Sequence, residues 1–235
     1  MIIFDSVVKR RGERHVLTGI SWEARPGRVT GFLGANGAGK SSALRILLGL
    51  DRATSGRALI DGVPYAQVRD PMRTVGAVLD GSGAHRSRTG RAHLRWLAHA
   101  AGIPVARVAE VMADVGLAEA AGQRVGSYSL GMGRRLGVAA ALLGDPPVLI
   151  LDEPANGLDP QGIRWMRNMV RFRAAQGHTV LLSSHLMAEL EETADDIVII
   201  DRGRIIAQGT LTEVTGAHRT LESAFFHLTR TENGR

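Results

Sequence analysis

Hydrophobic positions divide the chain into stretches of different period. Ile2 to Val8 and Val16 to Trp22 are short apolar stretches on either side of the turn-like RRGER, which predicts two strands. Arg28 to Leu50 predicts a strand, a Gly-rich loop and a helix. Gly56 to Asp61, closed by Asp61-Gly62, predicts another strand, and Val75 to Leu79 one more. From Gly81 to Asp145 the period lengthens. Leu94, Leu97, Ala98 and Ala101 recur at helical spacing, as do Val105, Val108, Val111, Met112 and Val115, then Leu136, Ala139, Ala140 and Leu143. Beyond them, Val148 to Leu151 predicts a buried strand. Helix Pro160 to Gln176, strand Thr179 to Ser183, helix Leu186 to Thr193, strand Ile197 to Asp201 and a last helix Leu221 to Thr229 follow. Strands alternating with helices imply an α/β fold whose parallel sheet is covered on both faces.

Composition narrows this picture only a little. The chain is 44% hydrophobic and 22% charged, ordinary for a soluble globular protein. It has no Cys, which excludes a disulfide framework and a thiolate metal site. The net charge is +6, carried almost wholly by Arg; Lys9 and Lys40 are the lysines. No basic run is dense, and aromatics at 4% are thin for base stacking, so no nucleic-acid partner is expected. MIIFDSVVKR reads as a strand rather than a signal peptide. No window approaches the ~18 apolar residues of a membrane span. If the protein works at a membrane, another chain crosses it.

Two motifs carry chemistry. Gly34-Ala35-Asn36-Gly37-Ala38-Gly39-Lys40-Ser41 matches GxxxxGK[ST] in full, between a predicted strand and helix, with Ser42 next to it. Glycines let the backbone curl so that N–H groups face phosphates. Lys40 supplies a point charge for the β/γ-phosphates of ATP, and the Ser41 hydroxyl suits Mg²⁺. Val148-Leu149-Ile150-Leu151-Asp152-Glu153 ends a buried strand in two acids. Asp152 would hold Mg²⁺ through water, and Glu153 would orient the attacking water. Histidines such as His93 and His99 are expected on solvated helix faces. Met166, Met169 and Val170 are expected to form a helix core stripe.

With these motifs in this order, nearly the whole chain resembles the nucleotide-binding subunits of ABC transporters. The resemblance implies a P-loop NTPase core with a mixed, mainly parallel sheet, an antiparallel β arm and an inserted helical subdomain. It implies one ABC ATP-binding domain over 1–235, with core and arm at 1–80 and 146–235 and the helical signature subdomain at 81–145. The family signature LSGGQ corresponds to Tyr128-Ser129-Leu130-Gly131-Met132. There Ser129 and Gly131 would bind the γ-phosphate of an ATP held by a second subunit. Gly157-Leu158-Asp159 resembles the D-loop, and His185 the switch histidine at the γ-phosphate. The family's Mg²⁺-touching Gln is Asp80 here, which implies a retained coupling role and slower hydrolysis. Its adenine-stacking aromatic is replaced by Arg11, with His15 as a nearby alternative.

The resemblance further implies two MgATP sandwiched in a dimer, a homodimer by expectation, that drives a separate transmembrane permease. The chain is then expected at the cytoplasmic face of the plasma membrane, held there by the permease. YSLGM resembles variants in bacterial drug and lantibiotic-peptide exporters, so export of a drug, antibiotic peptide or lipid-like compound is expected. The alternative is a soluble ABC-type ATPase acting in DNA, ribosome or cluster-assembly processes.

Overall fold

The computed structural model describes residues 1–79 and 83–233. In chain order the elements are β1 (Ile2–Arg11), β2 (Arg14–Ala24), β3 (Val29–Leu33), α1 (Lys40–Leu47), β4 (Ser55–Ile60), α2 (Pro71–Thr74) and β5 (Val75–Val78). Next come α3 (Gly90–Ala100), α4 (Ala106–Asp114), α5 (Leu130–Leu142), β6 (Val148–Asp152), α6 (Pro160–Ala175) and β7 (Thr179–Ser184). The last are α7 (Met187–Glu191), β8 (Asp196–Asp201), β9 (Arg204–Thr210), α8 (Leu211–Thr215) and α9 (Leu221–Asn233). The fold is α/β, with parallel strands, an antiparallel sheet and flanking helices. Two compact units form, one from Met1–Val68 with Met169–Arg235, the other from Arg69–Asn168.

The first unit holds two sheets. β1 lies between β2 and β4 in an antiparallel, three-stranded sheet. Its hairpin is tighter than RRGER suggests: the strands run to Arg11 and from Arg14, which pair with each other. Gly12, at φ +59°, takes the positive φ that a two-residue hairpin turn requires. In the other sheet β3 lies between β7 and β8, parallel to both, and β9 pairs antiparallel with β8. Every residue of VTGFL and TVLLSS in β3 and β7 is buried, as continuous apolar runs in parallel strands demand. Trp22 stacks on Phe4 at 4.6 Å and meets Phe32 at 5.0 Å, which joins β1, β2 and β3 in one core. β9 and α8 are unforeseen by the hydrophobic pattern, and α7 is shorter than Leu186 to Thr193.

In the second unit β5 and β6 pair in parallel, with Val78 opposite Leu151. Helices α3, α4 and α5 bury Leu94, Val108, Val111, Met112 and Leu136. The expectation of solvated histidines holds for His99 and fails for His93, which is 4% exposed. His93 sits beside Leu94 on the face that also carries Gly90 and Ala98, so the buried stripe is wider than its apolar residues. Its Nδ1 has no hydrogen-bond partner among the described residues. Burial pushes the imidazole pKa down, and the Arg88 charge adds to the shift.

The sign is that of a depressed base. Above about pH 6.5 both folded and unfolded chains keep His93 neutral. Below it the unfolded chain takes up a proton that the folded chain resists, so stability falls as pH falls. Denaturant titrations from pH 7.5 to 5 are expected to show this decline, at no more than about 1.4 kcal/mol per pH unit for one proton. His93→Leu is expected to flatten it; an unchanged slope would assign the decline to other groups.

Candidate functional site

β3 delivers the Gly-rich loop. Its last residue, Leu33, pairs with Ser184 of β7, so Gly34 and His185 leave neighbouring strands from the same sheet edge. Ligands of open α/β sheets bind beyond this carboxyl edge. At the loop's base the packing is tight. A Cβ on Gly34 would lie 2.5 Å from the Ile200 carbonyl oxygen, and one on Gly39 2.8 Å from Leu17 Cδ2. Gly39 also holds φ +120°, a conformation that L side chains rarely adopt. Ala35, Asn36 and Gly37 form an exposed rim.

Lys40, the first residue of α1, is 6% exposed. Its Nζ donates to the Gly34 carbonyl at 2.6 Å and reaches that of Ala35 at 3.5 Å. The cation thus lies over the loop. Gly39 provides α1 with no side-chain cap, and the start of a helix, with its backbone N–H groups and dipole, favours an anion. Ser41 is exposed and Ser42 half-buried on the first turn. The cradle, the buried cation and the uncapped helix start fit a polyphosphate.

Arg11 ends β1 with its side chain 60% exposed, tethered to Asp51 Oδ2 only at 3.5 Å. Asp51 is held chiefly by Lys9, whose hydrogen bond at 2.5 Å keeps that carboxyl below the usual carboxylate range. His15 is engaged by Arg10, which donates to its Nε2 at 3.0 Å. Of the two candidates for contact with a base, Arg11 has the longer hydrogen bond, 3.5 Å against 3.0 Å.

The other candidates lie in the second unit. Asp152 ends β6 and is 7% exposed. Glu153 follows at φ +50°, a left-handed backbone that costs about 1–3 kcal/mol at a non-glycine residue and clusters at functional sites. Asp80 lies outside the described residues. Ser129 caps α5 by accepting from the Met132 N–H at 3.1 Å. Tyr128 donates its hydroxyl to the Ala120 carbonyl at 2.8 Å, and burial raises its pKa. Asp159 caps α6, accepting from the Gly162 N–H at 2.8 Å.

Leu130, where the family signature has Gly, is 69% exposed, yet it lies over Gly157, where a Cβ would overlap it. Ser129, Gly131, Met132, Arg135, Leu158 and Asp159 line one cavity of about 420 Å³. The structure therefore brings the signature turn and the 157–159 turn together. Two residues there have roles that tertiary packing sets: Arg135, one of the two arginines near the start of α5, and Trp165. Arg135 donates to the Val115 carbonyl at 3.2 Å and lies over the Trp165 ring at 4.9 Å. Trp165 donates to the Asp114 carbonyl at 3.0 Å, so the pair satisfies carbonyls at the end of α4. Neither belongs to a short motif, and only the packing reveals these roles.

Comparison with known proteins adds the family. Residues 17–156 match the model of the ABC transporter family. The uncharacterized ABC transporter ATP-binding protein YdbJ of Bacillus subtilis (strain 168) is 37% identical over 95% of this chain and 73% of its own length. The lantibiotic transport ATP-binding protein SrtF of Streptococcus pyogenes is 33% identical over 88% of this chain and 90% of its own. A solved structure of the ATP-binding subunit of an ABC transporter superposes with a TM-score of 0.89 at 26% identity, covering 97% of this chain and 99% of that one. A complete phosphate loop, a fold of this type and relatives along almost the whole length agree: the chain belongs to the ABC transporter family and is one of its ATP-binding subunits, an ATPase.

Proposed function

We propose that this ATPase powers an exporter, dimerising around two MgATP and driving a separate permease that carries a drug, antibiotic peptide or lipid-like compound. The phosphate loop, with Lys40 drawn over Gly34, carries the ATP part of the reading. Similarity to a lantibiotic transport protein and the YSLGM signature support export. Among the described residues no helix is long and apolar enough to cross a membrane, so the pathway is assigned to the permease. The subunit then works at the cytoplasmic membrane face as a peripheral member of the complex. The division into core, arm and an 81–145 signature subdomain belongs to the same proposal.

In this reading Gly34 to Ser42 bind the phosphates, with backbone N–H groups and the Lys40 ammonium as donors. Ser41 and Asp152 would hold Mg²⁺, and Asp80 is the third candidate. A hydroxyl and a carboxylate suit an ion that keeps several waters and shares phosphate oxygens. Bound there, the ion would neutralise charge on the phosphates. Glu153 orients the attacking water and accepts its proton. His185 donates toward the γ-phosphate. Ser129, Gly131 and Asp159 of one copy face the nucleotide of the other, and Arg11 stacks on the base.

The test is purification of the tagged chain from detergent-solubilised native membranes, with co-purifying chains identified by mass. A polytopic membrane protein whose vesicles accumulate or expel cargo only with ATP is the expected result. Recovery of soluble machinery alone would overturn export and favour a soluble ABC-type role.

A further inference from the structure

The turn between β8 and β9 belongs to none of the nucleotide motifs, yet it bonds to the phosphate loop. Arg202 and Gly203 form it at φ +45° and +79°. Gly203 is buried, and its N–H donates to the Ala38 carbonyl of the loop at 2.9 Å. Its own carbonyl accepts twice from Thr18 of β2, from the backbone N–H at 2.9 Å and from Oγ1 at 3.0 Å. A Cβ on Gly203 would overlap the Val16 carbonyl and lie 3.2 Å from Leu17 Cα. A Cβ on Gly39 would likewise lie 3.2 Å from the Val16 oxygen. One stretch of β2 thus backs both the turn and the loop.

We propose that Gly203 is a positioning residue for nucleotide binding, orienting the Ala38–Gly39 peptide of the phosphate loop, with Thr18 as its anchor. The inference rests on the reading of that loop as the ATP site. In a trans peptide the C=O and N–H point in opposite directions. Holding the Ala38 carbonyl toward Gly203 therefore turns the Gly39 N–H away from the turn. Preset amides bind an anion without first having to be ordered. Only glycine meets both demands at 203, a positive φ and no Cβ against β2.

Thr18→Val removes one of the two donors to Gly203 and keeps the shape of the side chain. Gly203→Ala is the harsher variant. Thr229→Val is the control, since Thr229 Oγ1 donates to the Phe225 carbonyl at 2.9 Å in α9, outside the site. Full-length proteins would be titrated with a fluorescent ATP analogue, their ATPase rates measured against ATP concentration, and their melting followed without nucleotide.

Thr18→Val is expected to raise Kd and KM for ATP about threefold to tenfold, the worth of one hydrogen bond, with kcat at saturation within about twofold. Gly203→Ala should raise them further; if it does not fold, Thr18→Val decides. Thr229→Val should lower Tm without moving Kd. A Thr18→Val protein that melts earlier but binds ATP like the parent would overturn the proposal and leave the ATP site standing. A parent protein that binds no ATP would remove the phosphate-loop reading and this inference together.

Discussion

Glu153→Gln is expected to lower steady-state ATP turnover by about a thousandfold while ATP still binds. The substitution keeps size, shape and hydrogen-bonding reach and removes the group that accepts a proton. General-base catalysis contributes about 10²–10⁴ in rate, so its loss alone accounts for an effect of this order. Glu153 holds φ +50° immediately after the buried Asp152, and such strain persists only where the surrounding structure enforces it. Gln meets the same backbone cost, so the variant should fold like the parent. Phosphate release and size-exclusion chromatography with and without ATP check the outcome together. Lost turnover with an ATP-dependent dimer that persists would place the catalytic base at Glu153. Turnover within about tenfold of the parent would move the base elsewhere, with Asp80 the next residue to replace.

What could be read from the sequence was what local chemistry dictates. The phosphate loop is a contiguous stretch in which each Gly answers a backbone demand, so it is visible without tertiary information. VTGFL and VLILD are visible because strands covered on both faces are apolar throughout. β9 escapes the hydrophobic pattern because RIIAQGT is half-exposed along its length and ends in Gly-Thr, which reads as loop. α8 did carry a signal. Thr210 and Glu213 form a capping box, and the T-x-x-E spacing stands in the sequence. The expectation for His93 fails because a polar residue at the shoulder of an apolar stripe is buried or exposed according to its neighbours' bulk. The Gly203 contact was beyond reach, since it joins residues far apart in the chain through backbone atoms alone. The bond from Trp165 to the Asp114 carbonyl is of the same kind.

The second large effect belongs to Lys40. Lys40→Met is expected to weaken ATP binding by about a hundredfold or more and to reduce hydrolysis to background. Charge-assisted hydrogen bonds contribute about 1.5–3 kcal/mol each, and a buried ammonium facing phosphate is screened little by salt. Met preserves most of the volume, which matters at a residue only 6% exposed, so loss of the core is not the cause. The ammonium also spans the loop, donating to Gly34 at 2.6 Å. Its removal leaves that carbonyl without this donor and should loosen the loop before any nucleotide arrives. Two measurements separate these contributions. Hydrogen exchange of residues 34–41 without nucleotide reports loosening, and ATP titration at rising salt reports charge. Loss of affinity with unchanged exchange would make Lys40 a phosphate ligand alone. Faster exchange with ATP affinity close to that of the parent would make it a structural strut, and the positive charge that receives the phosphates would then have to come from another residue.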